Sequence, residues 1–250
     1  MKQIFCIVTI IVVFIACGRR KVDPGWTAEE YYKYAKVKYD DENYLGAQQD
    51  FDVVVLRYGG SIFADSAQYF LGMCHYYMDE FLISAVEFRK LITDRPQSPL
   101  LVDAQYMLAE SYYKMSPRPS LDQEYTLKAL KEYQLFLEDF PFDEKKEEAE
   151  KKILELRNKL ARKNLQNAEL YRKMGKLRSS LIYYDIVLNS YYDSEWADDA
   201  LFGKAIVYIN MDDLKQAKEE LELFKEKFPD SDILYKVEEK LLDVRVEEQD

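Results

Sequence analysis

The sequence predicts an all-α protein, a solenoid of about five helix pairs followed by a C-terminal helix. Three observations predict it. The segment Ser61–Gly72 returns 37 residues later as Ser98–Ala109, with Ala67-Gln68-Tyr69 falling on Ala104-Gln105-Tyr106, and a fixed period in this range marks a repeat architecture. Small residues recur at Ala35, Gly72, Ala109, Ala168 and Ala205, with spacings of 37, 37, 59 and 37. The 250 residues include only 8 Gly and 7 Pro, and no stretch sustains the period-two alternation of a half-buried strand.

The helices follow in order. Pro24-Gly25 breaks the chain, and Thr27 with Glu30 forms a capping-box pattern for a first helix. Unit one is Ala28–Asp40 with Tyr44–Tyr58, ended by Gly59-Gly60. Unit two runs from Ala64 to Pro96 around a turn at Met78-Asp79. Unit three pairs Leu100–Met115 with Gln123–Phe140 across an insertion at Ser116–Tyr125, about eight residues longer than the matching turn of unit two. Long loops in repeats are often functional, and a rigid Pro-x-Pro spacer is the plainer alternative. Unit four opens with an elongated helix over Asp143–Met174. Its first part is mostly charged, with Ile153, Leu156 and Leu160 as a narrow apolar stripe, so it is expected to be solvated on most faces. Unit five is Trp196–Asn210 with Leu214–Phe228, and Ile233–Val246 is an amphipathic cap.

Twelve residues after most of the small residues lies another one: Ala47, Ser84, Ser180, Ala217, and Ala129 after the insertion. Four further on stands a bulky residue: Phe51, Phe88, Tyr133, Tyr184, Leu221. Helix enders follow at Gly59, Pro96, Pro141 and Pro229. Small residues let helix backbones approach closely, and proline cannot continue a helix. The pattern resembles the tetratricopeptide repeat (TPR), which implies a right-handed α-solenoid.

Residues 1–16 read as an export signal: Lys2 is a short basic start and Ile4–Phe14 a nearly continuous apolar run. That run is short of the ~20 residues a spanning helix needs. Phe14-Ile15-Ala16-Cys17 resembles a bacterial lipobox, which implies a covalent lipid on Cys17 and a tether over residues 17–26. With Cys6 removed and Cys17 acylated, Cys74 has no partner for a disulfide. Among core positions it reads as a small buried hydrophobe. The formal charge of −11 disfavours nucleic acid and anionic lipid as direct partners.

The chain offers little catalytic chemistry. His75 is its one histidine, and it occupies a packing position that holds Tyr112, Tyr171 and Tyr208 in later units. No phosphate-cradling glycine loop or nucleophile elbow is present. The reading is a non-enzyme without a cofactor other than the lipid, acting through surfaces. Two tyrosine ladders stand out: Tyr32, Tyr69 and Tyr106 lie three residues before the small residue, and Tyr39, Tyr76 and Tyr113 four after it. They pack between helices, or they line a groove for an extended apolar or aromatic peptide. If they line a groove, Tyr69→Ala with Tyr106→Ala leaves stability unchanged. A basic turn, Arg172, Lys173, Lys176 and Arg178, is a candidate docking point for an acidic partner surface.

Leu156-Arg157-Asn158-Lys159-Leu160-Ala161, followed by Ala168-Glu169-x-Tyr171 and Gly175, resembles the BamD family, a lipoprotein component of the outer-membrane β-barrel assembly machinery. Asp122-Gln123-Glu124 ahead of Lys128-Ala129 occupies the place of that family's loop. The resemblance covers about residues 17–230. It implies a periplasm-facing scaffold anchored to the outer membrane. Its C-terminal units would dock the barrel-forming subunit, with accessory lipoproteins as further partners. Its N-terminal units would meet unfolded barrel segments. The alternative is a TPR lipoprotein that coordinates peptidoglycan or other envelope machinery.

Overall fold

Four short turns set the repeat. Each joins the two helices of a unit and holds one residue in the left-handed region: Glu42 (φ 60°), Asp79 (60°), Gly175 (70°) and Asp212 (62°). All four lie seven residues after the small crossing residue, where a helix commonly ends on a left-handed residue. Only Gly175 adopts this conformation without a Cβ penalty. Glu42→Gly is therefore expected to stabilise the chain by about 1 kcal/mol, seen as a higher urea midpoint at unchanged slope.

The computed structural model describes residues 25–247. They form eleven α-helices: α1 (Ala28–Asp40), α2 (Tyr44–Arg57), α3 (Ala64–Tyr77), α4 (Phe81–Asp94), α5 (Leu101–Met115), α6 (Glu124–Asp139), α7 (Lys146–Lys173), α8 (Leu177–Ser190), α9 (Ala197–Asn210), α10 (Leu214–Lys227) and α11 (Leu234–Glu247). These follow the expected units to within a few residues at each end. The export signal, Cys17 and most of the tether lie outside the described residues. The capping box forms as expected, with the Thr27 amide donating to Glu30 Oε2 (2.8 Å) and the Glu30 amide to Thr27 Oγ1 (3.3 Å).

Each helix packs on the next, and the small-and-bulky pattern is the reason. A Cβ on Gly72 would lie 2.8 Å from the Phe88 ring. Ala35, Ala47, Ala109, Ala129, Ala168, Ala205 and Ala217 are fully buried. Phe51, Phe88, Tyr133, Tyr184 and Leu221 are buried beside them. A second close approach was not foreseen: a Cβ on Gly203 of α9 would meet the Tyr184 ring at 2.5 Å. Cys74 is buried, and burial with the nearby Asp52 carboxylate pushes its thiol up to about 12.

Helix α7 departs from the simple repeat, and its apolar stripe explains how. Ala149, Leu156 and Leu160 are buried in one cluster with unit three, while Ala161, Leu165 and Ala168 are buried in another with α8 and α9. The charged first half is thus anchored along one side. Its cations hold unit three: Lys145 Nζ to Asp103 (2.9 Å), Lys152 to Glu110, and Lys159 Nζ to Ser116 Oγ (2.7 Å). Lys163 Nζ donates to the Leu121 carbonyl (2.6 Å), so the insertion is latched to α7. On the same helix, between Lys152 and Lys159, Arg157 forks onto Asp193 (Nε to Oδ1 3.0 Å, to Oδ2 2.9 Å), and the Glu195 amide donates to Asn158 (3.0 Å).

The turn between α8 and α9 therefore meets α7 near its middle, whereas the α6–α7 turn lies at its start. Fourteen extra residues at 1.5 Å each shift units four and five by about 20 Å along the helix axis relative to unit three. The solenoid is built as two blocks offset in height and joined by one helix. No described helix is long and apolar enough to cross a membrane.

Candidate functional site

The odd-numbered helices place the tyrosine ladders, because residues three before and four after the crossing residue fall on one helix face. The structure brings the rings into contact with helix neighbours. Tyr32 stacks on Phe63 (5.3 Å), and Tyr39 meets Phe70 edge-on (5.0 Å). Tyr69 touches Phe88 (5.6 Å), Tyr76 touches Phe81 (5.4 Å) and Tyr113 touches Tyr133 (6.3 Å). These five are half-buried. Tyr106 is buried against Tyr133 and Phe136 at 6% exposure. It is core, so Tyr69→Ala with Tyr106→Ala is not the stability-neutral pair expected of open groove rings.

Lysines close over several of these rings. Lys36 Nζ lies 5.2 Å from Tyr39 and 4.9 Å from Phe70, and Lys152 Nζ lies 4.6 Å from Tyr113. Behind them is a buried carboxylate, Glu110. It accepts from the Tyr133 phenol and Lys152, with the Tyr76 hydroxyl at 3.5 Å. Donors from α3, α6 and α7 thus converge on one side chain of α5.

The phenols respond to this setting. Burial, with the Asp103 carboxylate, pushes Tyr69 up to about 12. The hydrogen bond to Glu155 (2.6 Å), with burial, pushes Tyr113 up to about 12. Burial first and Glu110 second raise Tyr76, Tyr106 and Tyr133. A phenol that holds its proton more tightly when folded contributes stability that is complete below the ordinary value near 10 and lost as pH rises through the folded value. Urea stability is expected to be level up to about pH 10 and to fall steeply toward 12. Tyr39, Tyr69, Tyr76, Tyr106 and Tyr113, all raised chiefly by burial or a carboxylate partner, should ionise only with unfolding, as followed by tyrosinate absorbance.

Two buried amide–carboxylate pairs were not anticipated. Gln68 Nε2 donates to Glu87 Oε2 (2.7 Å), and Gln105 Nε2 to Glu132 Oε2 (3.2 Å). They are the same contact one repeat apart, and the shared Ala-Gln-Tyr was its sequence signal. Cations complete each: Lys90 on Glu87 (2.8 Å) and Arg89 on Glu132 (2.8 Å). His75 is buried, with Nδ1 2.6 Å from Glu80.

The basic turn divides. Lys173, Lys176 and Arg178 are exposed at the α7–α8 turn. Arg172 instead lines a cavity of about 200 Å³ with Glu169, Tyr184, Asp199, Phe202 and Lys236. Burial raises the Tyr184 phenol, and the Arg172 guanidinium opposes that rise. Arg172 occupies the ladder position of Tyr39, Tyr76 and Tyr113, and it faces this cavity while the other three cations stay at the exposed turn. A second hollow, of about 580 Å³, lies at the step between the blocks, lined by Gln123, Leu127, Leu160, Lys163, Ile186 and Tyr191 among others.

No curated protein matches the chain. A TPR-repeat protein from Bacteroides fragilis is similar, with a TM-score of 0.50 and 11% identity over 87% of this chain and 98% of its own. That likeness shows the fold, a TPR solenoid. A tetratricopeptide repeat protein from Parabacteroides merdae has a TM-score of 0.40 at 14% identity, covering 89% of this chain and 88% of its own. A thermophilic TPR protein from Thermus thermophilus has a TM-score of 0.38 at 15% identity, covering 88% and 100%. The family model for YfiO, described as an outer membrane lipoprotein, matches residues 24–220, which runs from α1 into the first half of α10 and takes in the insertion and the extended α7. The chain belongs to this outer-membrane lipoprotein family, the BamD family.

Proposed function

We propose that this protein is the lipid-anchored scaffold of a machinery that folds β-barrel proteins into the outer membrane. It faces the periplasm and acts by holding other proteins rather than by catalysis. The observation that carries this reading is the family match across residues 24–220. The two-block architecture supports a division of labour. Units four and five present the exposed cations Lys173, Lys176 and Arg178 to an acidic face of the barrel-forming subunit. Units one to three present Tyr32, Tyr39, Tyr69, Tyr76 and Tyr113 to unfolded barrel segments, with Tyr106 as their buried support. Anchoring rests on acylation of Cys17.

Affinity purification of the tagged full chain from detergent-solubilised envelopes, with mass spectrometry, tests the reading. A β-barrel protein with periplasmic domains should be recovered at near-stoichiometric yield. Lys173→Glu with Lys176→Glu and Arg178→Glu should release it while leaving the helical circular dichroism intact. Recovery of cell-wall enzymes in place of such a barrel would overturn it.

A further inference from the structure

The three most exposed large apolar side chains among the described residues are Phe142 (99%), Ile62 (89%) and Leu56 (81%). They come from different units, yet the topology gathers them on one edge. Helix pairs alternate in direction, so every turn between units lies at the start of an odd-numbered helix. Hydrogen bonds confirm that these turns sit side by side in the first block. The Tyr58 hydroxyl donates to the Trp26 carbonyl (2.7 Å), where the chain enters the fold. Arg95 donates to the Gly59 carbonyl (2.9 Å) and to Asp65 (2.7 Å). Lys145 reaches Asp103 (2.9 Å). Leu56 is in the last turn of α2, Ile62 in the α2–α3 turn and Phe142 in the α6–α7 turn.

The same edge receives the tether. Seven residues lie between Cys17 and Gly25, and an extended chain over that interval spans at most about 30 Å. An acyl anchor at Cys17 therefore keeps this edge within about 30 Å of the bilayer surface. Fully exposed phenylalanine, isoleucine and leucine side chains are costly in water and favourable at a lipid interface. Units four and five, shifted by about 20 Å, have their own turns displaced from this edge.

We propose that the inter-unit edge of units one to three, with Leu56, Ile62 and Phe142 at its tips, rests on the lipid surface. This rests on the anchoring reading given above. The contact is apolar and takes zwitterionic lipid, because the charges that follow Phe142 cancel, Asp143 and Glu144 against Lys145 and Lys146, and give no net attraction to an anionic surface. It orients the solenoid, holding the first block against the membrane and the second block clear of it for a protein partner.

The test uses the full lipidated chain reconstituted in phosphatidylcholine vesicles. An environment-sensitive fluorophore is placed at Phe142→Cys, at Ile62→Cys, or at Leu242→Cys on the exposed face of α11; the native Cys74 is buried. Flotation reports the anchor, and quenching by a headgroup-proximal lipid nitroxide reports the edge. The expected result is co-flotation of all three, with a blue shift and loss of emission at positions 142 and 62 and neither at 242. Co-flotation with position 142 as unquenched as position 242 would overturn the edge contact alone. A blue shift that vanishes on diluting protein in the vesicles, without lipid quenching, would mean a second copy covers the edge, and would also overturn it. Failure to float would overturn the anchor and the edge contact with it.

Discussion

Phe88→Ala is expected to destabilise the protein by about 3–5 kcal/mol. The ring is fully buried, at van der Waals limit against Gly72 and in contact with Tyr69. Removing it leaves a cavity where helices α3 and α4 cross, and close packing with no side chain on Gly72 prevents easy collapse. The pairing can be tested directly. Gly72→Leu in the native background should be severely destabilising, because its first carbon would already lie 2.8 Å from the ring. In the Phe88→Ala background the same change should cost less or restore stability, since leucine then fills the vacated space. A double-mutant cycle should therefore give a coupling of at least about 2 kcal/mol. Because a solenoid's stability is built from units and their interfaces, hydrogen exchange in the Phe88→Ala variant should show units one and two opening before unit five.

Lys152→Met is expected to cost about 3 kcal/mol, because it strands the Glu110 carboxylate in a buried site with only tyrosine donors. Both side chains are largely out of solvent, at 17% and 8% exposure. The loss should fall on the junction between unit three and α7 rather than on units one or five. Glu110→Gln added to Lys152→Met should recover most of it, since a neutral amide can still accept from Tyr133 and needs no counter-charge. If the double variant is as unstable as the single one, the cost lies in packing and not in the stranded charge. Urea midpoints of the four proteins in the cycle decide between them.

The helix boundaries were legible in the sequence because local chemistry sets them. Prolines, the capping box and the left-handed turns stop or start each helix wherever it sits. The crossing pattern was legible for the same reason: Gly72 and Phe88 announce themselves by size at fixed spacing. The offset of the two blocks was not. Ile153, Leu156 and Leu160 showed that α7 had a buried stripe, but not that its two halves serve different units at different heights. Glu110 was equally hidden, since its donors come from 23 to 42 residues away and no periodicity links them. Tyr106 and Tyr69 looked alike by register, and only packing against Phe136 separates core from groove. Arg172 is the opposite case. Its ladder position already set it apart from Lys173, Lys176 and Arg178, and it faces the cavity while they stay at the exposed turn.

The most direct measurement of the central claim is depletion of this protein in its native cell, followed by the folded fraction of outer-membrane β-barrels, read as heat-modifiable gel mobility. The account predicts that folded barrels fall while unfolded barrel chains accumulate in the periplasm, and that the Lys173→Glu, Lys176→Glu, Arg178→Glu variant fails to restore them. Undiminished barrel folding in depleted cells, accompanied by cell-wall defects, would contradict it.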